Sequence, residues 1–294
     1  MTSRPIRSAA LSLFSPSRRA ALRRLYDAAT APPPGAKITM SFGDGAGLLT
    51  IEGGPSIAIP GECRPDLEQH FATREAGAEL ERFMRHATTP GFLFDVGANN
   101  GLFSVAYCLA HPRNRAVAFE PSLPLVARIR EMARLNGVEE RLQVVAKAVA
   151  DSPGERQLML AAKGDFVQVV PFKGTAQNEW QSVAIATTTL DLASAGSAPP
   201  TILKIDVEGF EREVVRGGMS LIATARPTVF LEVHLNYLEQ RAISPRDVVE
   251  PLAACGYRFT DLAGRRQSVR RIATSWASVL HVIGTPAGAG PAIS

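Results

Sequence analysis

Short apolar runs alternate with longer stretches of helical spacing through most of this chain. From Gly91 onward, each apolar run is bounded by small or polar residues and is followed by apolar positions three or four residues apart. This alternation predicts an α/β fold with a mostly parallel central sheet, right-handed crossovers and helices on both faces. The predicted strands are 92–96, 116–120, 142–149, 202–207 and 228–233, with a closing pair at 257–260 and 275–283.

The helices between these strands are predicted from the same spacing and from residues that begin or end helices. They are 102–110, 122–136, 209–216 and 244–255. Residues 151–198 interrupt this regular order. They predict an additional hairpin at 156–160 and 167–170, followed by a polar loop around Trp180.

The segment before this repeat has a different pattern. Two apolar runs, 37–42 and 48–52, flank Gly43-Asp44-Gly45 and predict a β-hairpin, with a third short strand at 57–59. Residues 66–86 have helical spacing and predict one helix. The predicted organisation is a basic flexible arm (1–34), a hairpin and helix cap over the mouth of a site (35–90), a main domain (91–284) and a disordered tail (285–294).

Composition and charge narrow the class of protein. The 294 residues are 46% hydrophobic and 20% charged, which is sufficient for the core of one α/β domain with extensions. The formal net charge of +4 comes from residues 1–26, which hold six arginines and no acid. Because the remainder is not basic, we do not expect a nucleic-acid partner.

Cysteine content and hydropathy indicate the cellular compartment in which the protein is expected. Three cysteines, Cys63, Cys108 and Cys255, are scattered without metal-ligand spacing and predict reduced apolar side chains. No run reaches membrane-spanning length, and the apolar patch 9–14 is too short and too soon followed by arginines for a secretory signal. We expect a cytoplasmic protein without a transmembrane segment. The arginine-rich start is also compatible with an organelle transit peptide.

A glycine-containing turn follows the predicted strand 92–96. It reads Asp95-Val96-Gly97-Ala98-Asn99-Asn100-Gly101. Gly97 and Gly101 permit unusual backbone dihedrals and the close approach of a ligand. The helix that follows directs its free N–H groups and its positive dipole end toward the turn. The pattern predicts a strand–turn–helix cradle for a nucleotide.

Asn99 and two acids indicate which nucleotide this turn suits. The dinucleotide fingerprint requires a small residue where Asn99 stands, which argues against a nicotinamide-dependent oxidoreductase. Asp95 suits a ligand with a cationic end. Glu120, at the end of the next strand, can accept hydrogen bonds from both hydroxyls of a ribose. Together these features favour S-adenosylmethionine.

Further polar residues come at the ends of the later predicted strands. They are Asp206, Glu208, Glu232 and His234. Because ligands of parallel α/β sheets bind outside the carboxyl ends of the strands, we expect these side chains to meet Asp95, Gly97 and Glu120 in one cleft. Lys204 shares a strand face with Asp206, so we expect it to pair with an acid there.

The block Leu203-Lys204-Ile205-Asp206-Val207-Glu208-Gly209-Phe210-Glu211 makes a family resemblance specific. Together with 95–101, 119–121, Asn136, Ala148 and 227–233, it resembles the FkbM family of S-adenosylmethionine-dependent methyltransferases over about residues 75–260. Asn100 stands where many members carry an aliphatic residue. Residues 1–60 and 163–186 lie outside the resemblance, and we expect substrate choice to reside there.

The resemblance implies both a fold and an activity. The fold is the Rossmann-like class I methyltransferase fold, and the activity is O-methylation of a hydroxyl on a sugar, a glycan or a secondary metabolite. The implied acceptor is therefore a small molecule or a glycan. The cofactor contacts expected from the motifs are Asp95, Gly97, Ala98, Asn99, Gly101, Glu120, Pro121, Asn136, Ala148 and Asp206.

Methyl transfer to a hydroxyl requires a group that accepts its proton. The candidates are Asp206 and His234, which lie at the ends of predicted strands. A histidine suits neutral pH because its unperturbed pKa is about 6.5. Asp206 can instead hold the methionine ammonium of the cofactor, and His234 can be structural. Glu208 is a third catalytic candidate, although its place beside a helix N-terminus can also simply stabilise that helix.

Two further alternatives use the same residues. A divalent cation is possible, because Asp206, Glu232 and Asn236 can supply oxygen ligands, but nothing in their spacing demands one and no metal site is predicted. A non-catalytic S-adenosylmethionine-binding protein would keep the cradle and lose the polar cluster at the strand ends. That cluster is intact, which favours an enzyme.

Overall fold

The computed structural model describes residues 18, 21, 35, 37–43, 45–161, 167–168 and 180–288. The predicted arm, apart from Arg18 and Ala21, lies outside these residues, as do residues 289–294 of the predicted tail. Among the described residues, no helix is both long and apolar enough to cross a membrane.

The described residues form fifteen strands and ten α-helices. The strands are β1 (Ile38–Phe42), β2 (Ala46–Ile51), β3 (Ser56–Pro60), β4 (Phe92–Val96), β5 (Arg115–Phe119), β6 (Leu142–Val145), β7 (Ala148–Val149), β8 (Gly154–Ala161), β9 (Val167–Gln168), β10 (Trp180–Thr188), β11 (Ile202–Ile205), β12 (Thr228–His234), β13 (Tyr257–Thr260), β14 (Arg266–Gln267) and β15 (Val279–Pro286). The helices are α1 (Arg64–His70), α2 (Arg74–Ala87), α3 (Leu102–Ala110), α4 (Leu123–Leu135), α5 (Leu190–Ser194), α6 (Glu211–Arg216), α7 (Met219–Ala225), α8 (Leu235–Gln240), α9 (Arg246–Ala254) and α10 (Val269–Ala273).

The main sheet has eight strands in the order β14-β13-β15-β12-β11-β4-β5-β6. Strands β12, β11, β4, β5 and β6 are parallel, and β15, β13 and β14 extend the sheet with antiparallel pairs. The chain leaves β4 in one direction along the sheet and returns at β11 on its other side. This switch in strand order opens a crevice at the carboxyl ends of β4 and β11, where ligands of such sheets bind. The predicted α/β, Rossmann-like fold is confirmed.

Two hydrophobic cores lie on opposite faces of the main sheet. Successive strand residues point to opposite faces, so Leu93 belongs to one core and Phe94 to the other. Helices α2, α3 and α4 cover the first face together with the cap strands, and helices α6, α7 and α9 cover the second. Both faces of the parallel strands are therefore buried, which explains their nearly continuous apolar sequence.

The cap is a three-stranded antiparallel sheet, β1-β2-β3, followed by α1 and α2. Its predicted strands are confirmed, but the single helix predicted over 66–86 is two helices. Residues 71–73 are not helical, and the Thr73 side chain caps the start of α2 by accepting a hydrogen bond from the Ala76 N–H at 3.4 Å. The cap is tied to the main domain by Asn136, whose side chain donates to the Ala58 carbonyl and accepts from the Ala58 N–H, each at 2.8 Å.

Residues 142–188 depart most from the predicted order. The single strand predicted over 142–149 is divided into β6, in the main sheet, and β7, which pairs with β10. The polar loop predicted around Trp180 is wrong, because Trp180 begins the nine-residue strand β10. Strands β7, β10, β8 and β9 form a separate sheet beside the carboxyl ends of the main strands. Helices α5, α7, α8 and α10 were not predicted.

Candidate functional site

A cleft of about 410 Å³ lies over the carboxyl ends of β4, β5, β11 and β12. Its floor is the strand ends of the main sheet. One wall comes from α1 and α2 of the cap, and another from β7, β8 and β10 of the side sheet. Its size is within the usual range for small-molecule sites. The cap thus supplies one wall of the cleft.

The predicted glycine turn forms one end of this cleft. Gly97 has a φ of +80°, and a side chain there would overlap the main-chain oxygen of Asp206 on the neighbouring strand. The N–H groups of Gly97 and Ala98 donate to the Phe119 carbonyl at 3.0 and 3.1 Å, which holds the turn against β5. Asn99 also has a positive φ, +52°, a conformation that asparagine tolerates better than most residues. The turn is therefore built by tight packing between β4, β5 and β11.

Glu120 is held across the turn by main-chain donors. Its Oε2 accepts from the Asn99 N–H at 3.0 Å and its Oε1 accepts from the Ser122 N–H at 2.9 Å. Burial raises the pKa of Glu120 to about 7, and these two hydrogen bonds oppose that rise. Each carboxylate oxygen can accept more than one hydrogen bond, so Glu120 retains capacity for hydroxyl donors in the cleft.

The predicted cofactor contacts divide into two groups. Those that line the cleft are Gly97, Asn99, Glu120, Pro121, Ala148 and Asp206. The others, Asp95, Ala98, Gly101 and Asn136, lie outside the cleft lining. Gly101 begins α3 with a φ of +85°, and the side chain of Asn136 is bonded to the cap strand β3. Gly101 and Asn136 thus help to hold the turn and the cap in place.

Asp95 lies beneath the turn and is 1% exposed. Its Oδ2 accepts a hydrogen bond from the Ser104 hydroxyl at 2.7 Å, and its Oδ1 has no hydrogen-bond partner among the described residues. Burial raises the pKa of Asp95, although Lys204 and the Ser104 hydroxyl oppose the rise. This carboxyl group is a buried support of the cradle, not part of its surface.

The buried Lys204 and the partly exposed Asp206 form an ion pair at the end of β11. The Lys204 ammonium lies 3.3 Å from Asp206 Oδ2 and 3.8 Å from Glu79 Oε1 of α2, and it sits 4.4 Å from the centre of the Phe103 ring. The expectation that Lys204 pairs with an acid is confirmed. Burial alone would raise the pKa of Asp206, but Lys204 and His234 together lower it to about 2. Asp206 is therefore a carboxylate with little tendency to accept a proton.

His234 is surrounded by carboxylates. Its Nδ1 lies 2.7 Å from Glu211 Oε1, and its Nε2 lies 3.4 Å from Glu208 Oε2, 3.6 Å from Glu232 Oε1 and 3.8 Å from Asp206 Oδ1. Burial alone would lower the pKa of His234, but the bond to Glu211 and the surrounding carboxylates raise it to about 10. A pKa of about 10 favours the imidazolium at neutral pH, which argues against the predicted role of His234 as proton acceptor.

Glu208 combines exposure to the cleft with an unusual backbone. Its φ is +51°, a left-handed conformation that costs energy for a residue with a side chain. Gly209 follows with a φ of +96°, so the chain turns sharply between β11 and α6. The Glu208 side chain is 41% exposed and lines the cleft. Partial burial by the cleft walls raises its pKa to about 7, and His234 opposes that rise.

Two groups of side chains have spacing compatible with a cation. Asp206, Glu232 and His234 form one, and Glu79, Glu232 and His281 form the other, with ligand atoms within 4.8 Å of one another. In both groups a histidine already supplies positive charge. Burial opposes it, but Glu232 and Glu79 raise the pKa of His281 to about 9. We therefore describe both groups as ion-pair networks.

Comparison with known proteins gives this geometry a family. A family model described as "Methyltransferase FkbM domain" matches residues 95–259, more than half of the chain. The chain belongs to the FkbM methyltransferase family. The resemblance stated from the sequence is confirmed, and the matched segment runs from Asp95 in β4 to Phe259 in β13.

One curated relative has a described activity. The 31-O-demethyl-FK506 methyltransferase FkbM of Streptomyces tacrolimicus is 31% identical over 184 residues, which cover 51% of this chain and 68% of the relative. Among solved structures, a methyltransferase FkbM from Methylobacillus flagellatus KT aligns with 14% identity and a TM-score of 0.45, covering 66% of this chain and 43% of that chain. A precorrin-6y C5,15-methyltransferase from Geobacter metallireducens GS-15 aligns with 13% identity and a TM-score of 0.40, covering 70% of this chain and 84% of that chain.

Some site residues of this FkbM-family chain were not predicted. Glu79 on α2 and His281 on β15 lie outside the family match, yet both reach the charged network below the cleft. Glu79 is 4% exposed and lies three residues after Ala76 and four before Phe83, both buried. This spacing places Glu79 on the apolar face of α2, and an acid at such a position is the sequence feature that could have indicated a buried charged residue. No local pattern distinguishes His281 from any other polar residue of a strand.

Proposed function

We propose that this FkbM-family protein transfers a methyl group from S-adenosylmethionine to a hydroxyl oxygen of a small acceptor, of the sugar, glycan or secondary-metabolite class. The observation that carries the proposal is one cleft with two different ends. Gly97, Asn99 and Glu120 line the cleft at the ends of β4 and β5, where we place the cofactor, and Glu208 lines it beyond the end of β11. The curated relative's name, which describes an O-demethyl substrate, supports oxygen as the accepting atom.

The residues at the cradle fit S-adenosylmethionine by their donor and acceptor chemistry. Glu120 is 4% exposed, lines the cleft and has lone pairs to spare for a pair of ribose hydroxyls. Pro121 and Ala148 add apolar surface beside it. Asp206 would face a cationic group as a permanent carboxylate. A nicotinamide dinucleotide fits less well, because Asn99 occupies the position where a pyrophosphate needs a small residue.

When bound, S-adenosylmethionine supplies a methyl group activated by its sulfonium. The chain's own contribution is to align the acceptor and to remove its proton. Alignment in a closed cleft can supply on the order of 7–11 kcal/mol of the barrier reduction. The proton acceptor that we propose is Glu208, because its carboxylate is exposed to the cleft and its pKa of about 7 is matched to neutral pH.

The neighbours of Glu208 have supporting roles in this proposal. His234 Nε2, at 3.4 Å from Glu208 Oε2, provides a fixed positive charge that orients the carboxylate. Glu211 holds the other ring nitrogen, and it is fully buried. Asp206, kept ionised by Lys204, contributes negative charge near the cradle. We therefore propose a positioning role for Asp206 and His234 and a catalytic role for Glu208.

Radioactive transfer tests the proposal. The protein is incubated with methyl-labelled S-adenosylmethionine and a small-molecule extract, and label in the acceptor fraction is counted. We expect transfer by the wild type and a loss of roughly 10²–10⁴ in rate for Glu208→Gln. The matched control is Glu140→Gln, since Glu140 is exposed and does not line the cleft. Cofactor binding without transfer to any extract would favour a non-catalytic binding protein.

A further inference from the structure

We infer that Arg241 is a positioning residue of the proposed transfer reaction: it holds the sharp turn after β11, so that the Glu208 carboxylate faces the cleft. The inference rests on the proposed function, in which Glu208 accepts the proton of the acceptor hydroxyl. It comes from the contacts that Arg241, the residue after α8, makes with the main chain and side chains of this turn.

The turn at 207–210 needs support from outside itself. Glu208 has a φ of +51° and Gly209 a φ of +96°. The Phe210 N–H donates to the Val207 carbonyl at 3.2 Å and closes the turn. The same bond is made in a type II turn, in which Glu208 would have a negative φ and Gly209 would keep its positive one. Since the left-handed conformation of Glu208 costs energy, other contacts must select it.

Arg241 supplies three contacts to the segment that follows Glu208. Its Nη1 donates to the Gly209 carbonyl, and its guanidinium carbon lies 3.7 Å from the centre of the Phe210 ring. The same guanidinium makes a two-point ion pair with Glu213 of α6, at 2.7 and 3.2 Å. Arg241 thus joins the turn to the first helix after it.

Gly209 is held from its other side as well. Its N–H donates to Glu211 Oε1 at 2.9 Å, and the same oxygen lies 2.7 Å from His234 Nδ1. A side chain at Gly209 would approach Tyr237 Cβ to 2.6 Å, so α8 packs directly on the turn. Because both polar main-chain groups of Gly209 are bound, Glu208 cannot relax to a negative φ without straining or breaking these bonds.

Arg241 acts on the cleft only through this turn. Val207, Glu208 and Phe210 line the cleft, whereas Arg241 does not. Its planar guanidinium can bind a carbonyl, a carboxylate and a ring face together, which neither an amide nor an ammonium can do. Without it, the Glu208 carboxylate is free to move from its place 3.4 Å from His234 Nε2. A displacement of about 1 Å at a reacting group can cost roughly a hundredfold in rate.

A double-mutant cycle tests whether Arg241 works through Glu208. Labelled transfer into one small-molecule extract is measured at saturating S-adenosylmethionine. Arg241→Gln should lower the rate about 10–100-fold in the wild type but less than about twofold in Glu208→Gln, where no proton acceptor remains to be positioned. The variant should fold, since Glu213 keeps Arg212 as a partner at 2.7 Å. Equal fold losses in the two backgrounds would overturn the inference.

Cofactor binding and a matched arginine separate positioning from general stability. Affinity for S-adenosylhomocysteine should not change in Arg241→Gln, because the cradle lies at the ends of β4 and β5. The control is Arg226→Gln. Arg226 also donates to a main-chain carbonyl, that of Cys255 at 2.9 Å, and lies 5.8 Å from the Tyr257 ring centre. It precedes β12, at the end of the strand remote from the cleft, so its loss should leave the transfer rate unchanged.

Amide hydrogen exchange reads the turn without methyl transfer. Exchange at 207–210 should be at least about tenfold faster in Arg241→Gln than in the wild type, and unchanged in Arg226→Gln. Unchanged exchange in Arg241→Gln would overturn the inference whatever the activity. Faster exchange together with no transfer by the wild type into any extract would leave Arg241 holding the turn and count against the proposed function instead.

Discussion

The two ends of the cleft floor hold their carboxylates with different partners. At the ends of β4 and β5, Glu120 and Asp95 are held by neutral donors, the main-chain N–H groups of the turn and the Ser104 hydroxyl. At the ends of β11 and β12, the acids are held by cations, chiefly Lys204 and His234. Both sets lie at the same edge of one sheet.

The difference between these partners contributes to the different ionisation of Asp206 on the one hand and of Asp95 and Glu120 on the other. At the end of β12, burial and the charge of Asp206 raise the pKa of Glu232 to about 8 despite the nearby histidines. At Glu120 the neutral donors do not overcome the effect of burial, and at Asp95 burial also outweighs the charge of Lys204, so both pKa values remain raised. The buried Lys204 does overcome it at Asp206, whose pKa falls to about 2. Glu208 is more exposed, and its Oε2 lies 3.4 Å from His234 Nε2. Burial raises its pKa to about 7, although His234 opposes the rise. Strand-end position brings the acids together, and the partner of each acid determines what it can do.

Removing the proposed proton acceptor has the largest expected effect. Glu208→Gln keeps the shape of the side chain and removes its basicity, so kcat should fall roughly 10²–10⁴-fold while cofactor affinity is retained. In the wild type, the rate should rise with pH through about 7, because Glu208 must be ionised to accept a proton. Rates of labelled transfer between pH 5.5 and 9 measure both effects. A wild-type profile without an inflection in this range would contradict the assignment.

Lys204→Met should produce the largest loss of stability. It leaves the buried Glu79 and the partly buried Asp206 without their common cation, and breaking a buried pair costs about 3–5 kcal/mol of the free energy of unfolding. Lys204→Arg should cost less, because it keeps the charge. Urea denaturation at pH 7 measures the difference, with the exposed Lys147→Met as control. Equal stability of Lys204→Met and Lys147→Met would mean that the cation does not hold these acids.

His234→Gln distinguishes between two roles of His234, that of a fixed positive charge and that of the proton acceptor. The His234 cation lowers the pKa of Glu208, so its loss should move the rise in rate to higher pH and reduce transfer at pH 7 about tenfold. Activity should recover at pH 9. A loss of 10²–10⁴-fold that persists at pH 9 would restore His234 as the proton acceptor.

Glu120→Gln tests the end of the cleft that lacks cations. Hydroxyl donors bind a carboxylate more strongly than a carboxylic acid or an amide, so ionised Glu120 favours the cofactor. Because the pKa of Glu120 is about 7, affinity for S-adenosylhomocysteine should increase from pH 6 to pH 8 in the wild type. The variant should bind about tenfold more weakly at pH 8 and show a flat pH dependence. Isothermal calorimetry at the two pH values decides this.

Chelation should have the smallest effect. Since His234 and His281 supply the positive charge within the two acidic groups, exhaustive EDTA treatment should leave labelled transfer unchanged. Loss of transfer that Mg²⁺ restores would show that a cation, rather than the histidines, balances these acids.

The parts of the fold that follow from local pattern were predictable from the sequence. The glycine turn, the acids at the strand ends and the strands themselves are encoded by adjacent residues. The division at 71–73 was not, because Thr73 begins α2 through a hydrogen bond that the hydrophobic pattern does not reveal. The strand β10 was missed because it belongs to a side sheet whose partners precede it in the chain.

The candidate site was predictable as a set of residues but not as a set of roles. The sequence alone favours His234 as a base at neutral pH, whereas the structure places Glu211 at its Nδ1 and three other carboxylates near its Nε2. Asn136 falls in a family motif, and only the packing of the cap shows that its side chain binds Ala58. Ionisation depends on contacts between distant segments, so no local sequence pattern determines it.

The central claim, that the cradle at Gly97 and Glu120 holds S-adenosylmethionine, is tested most directly by calorimetric titration of the wild-type protein. S-adenosylhomocysteine and NADH are titrated in parallel at pH 8. We expect saturable binding of S-adenosylhomocysteine at one site and no binding of NADH. Binding of NADH with equal or greater affinity, or no heat with S-adenosylhomocysteine, would contradict the claim.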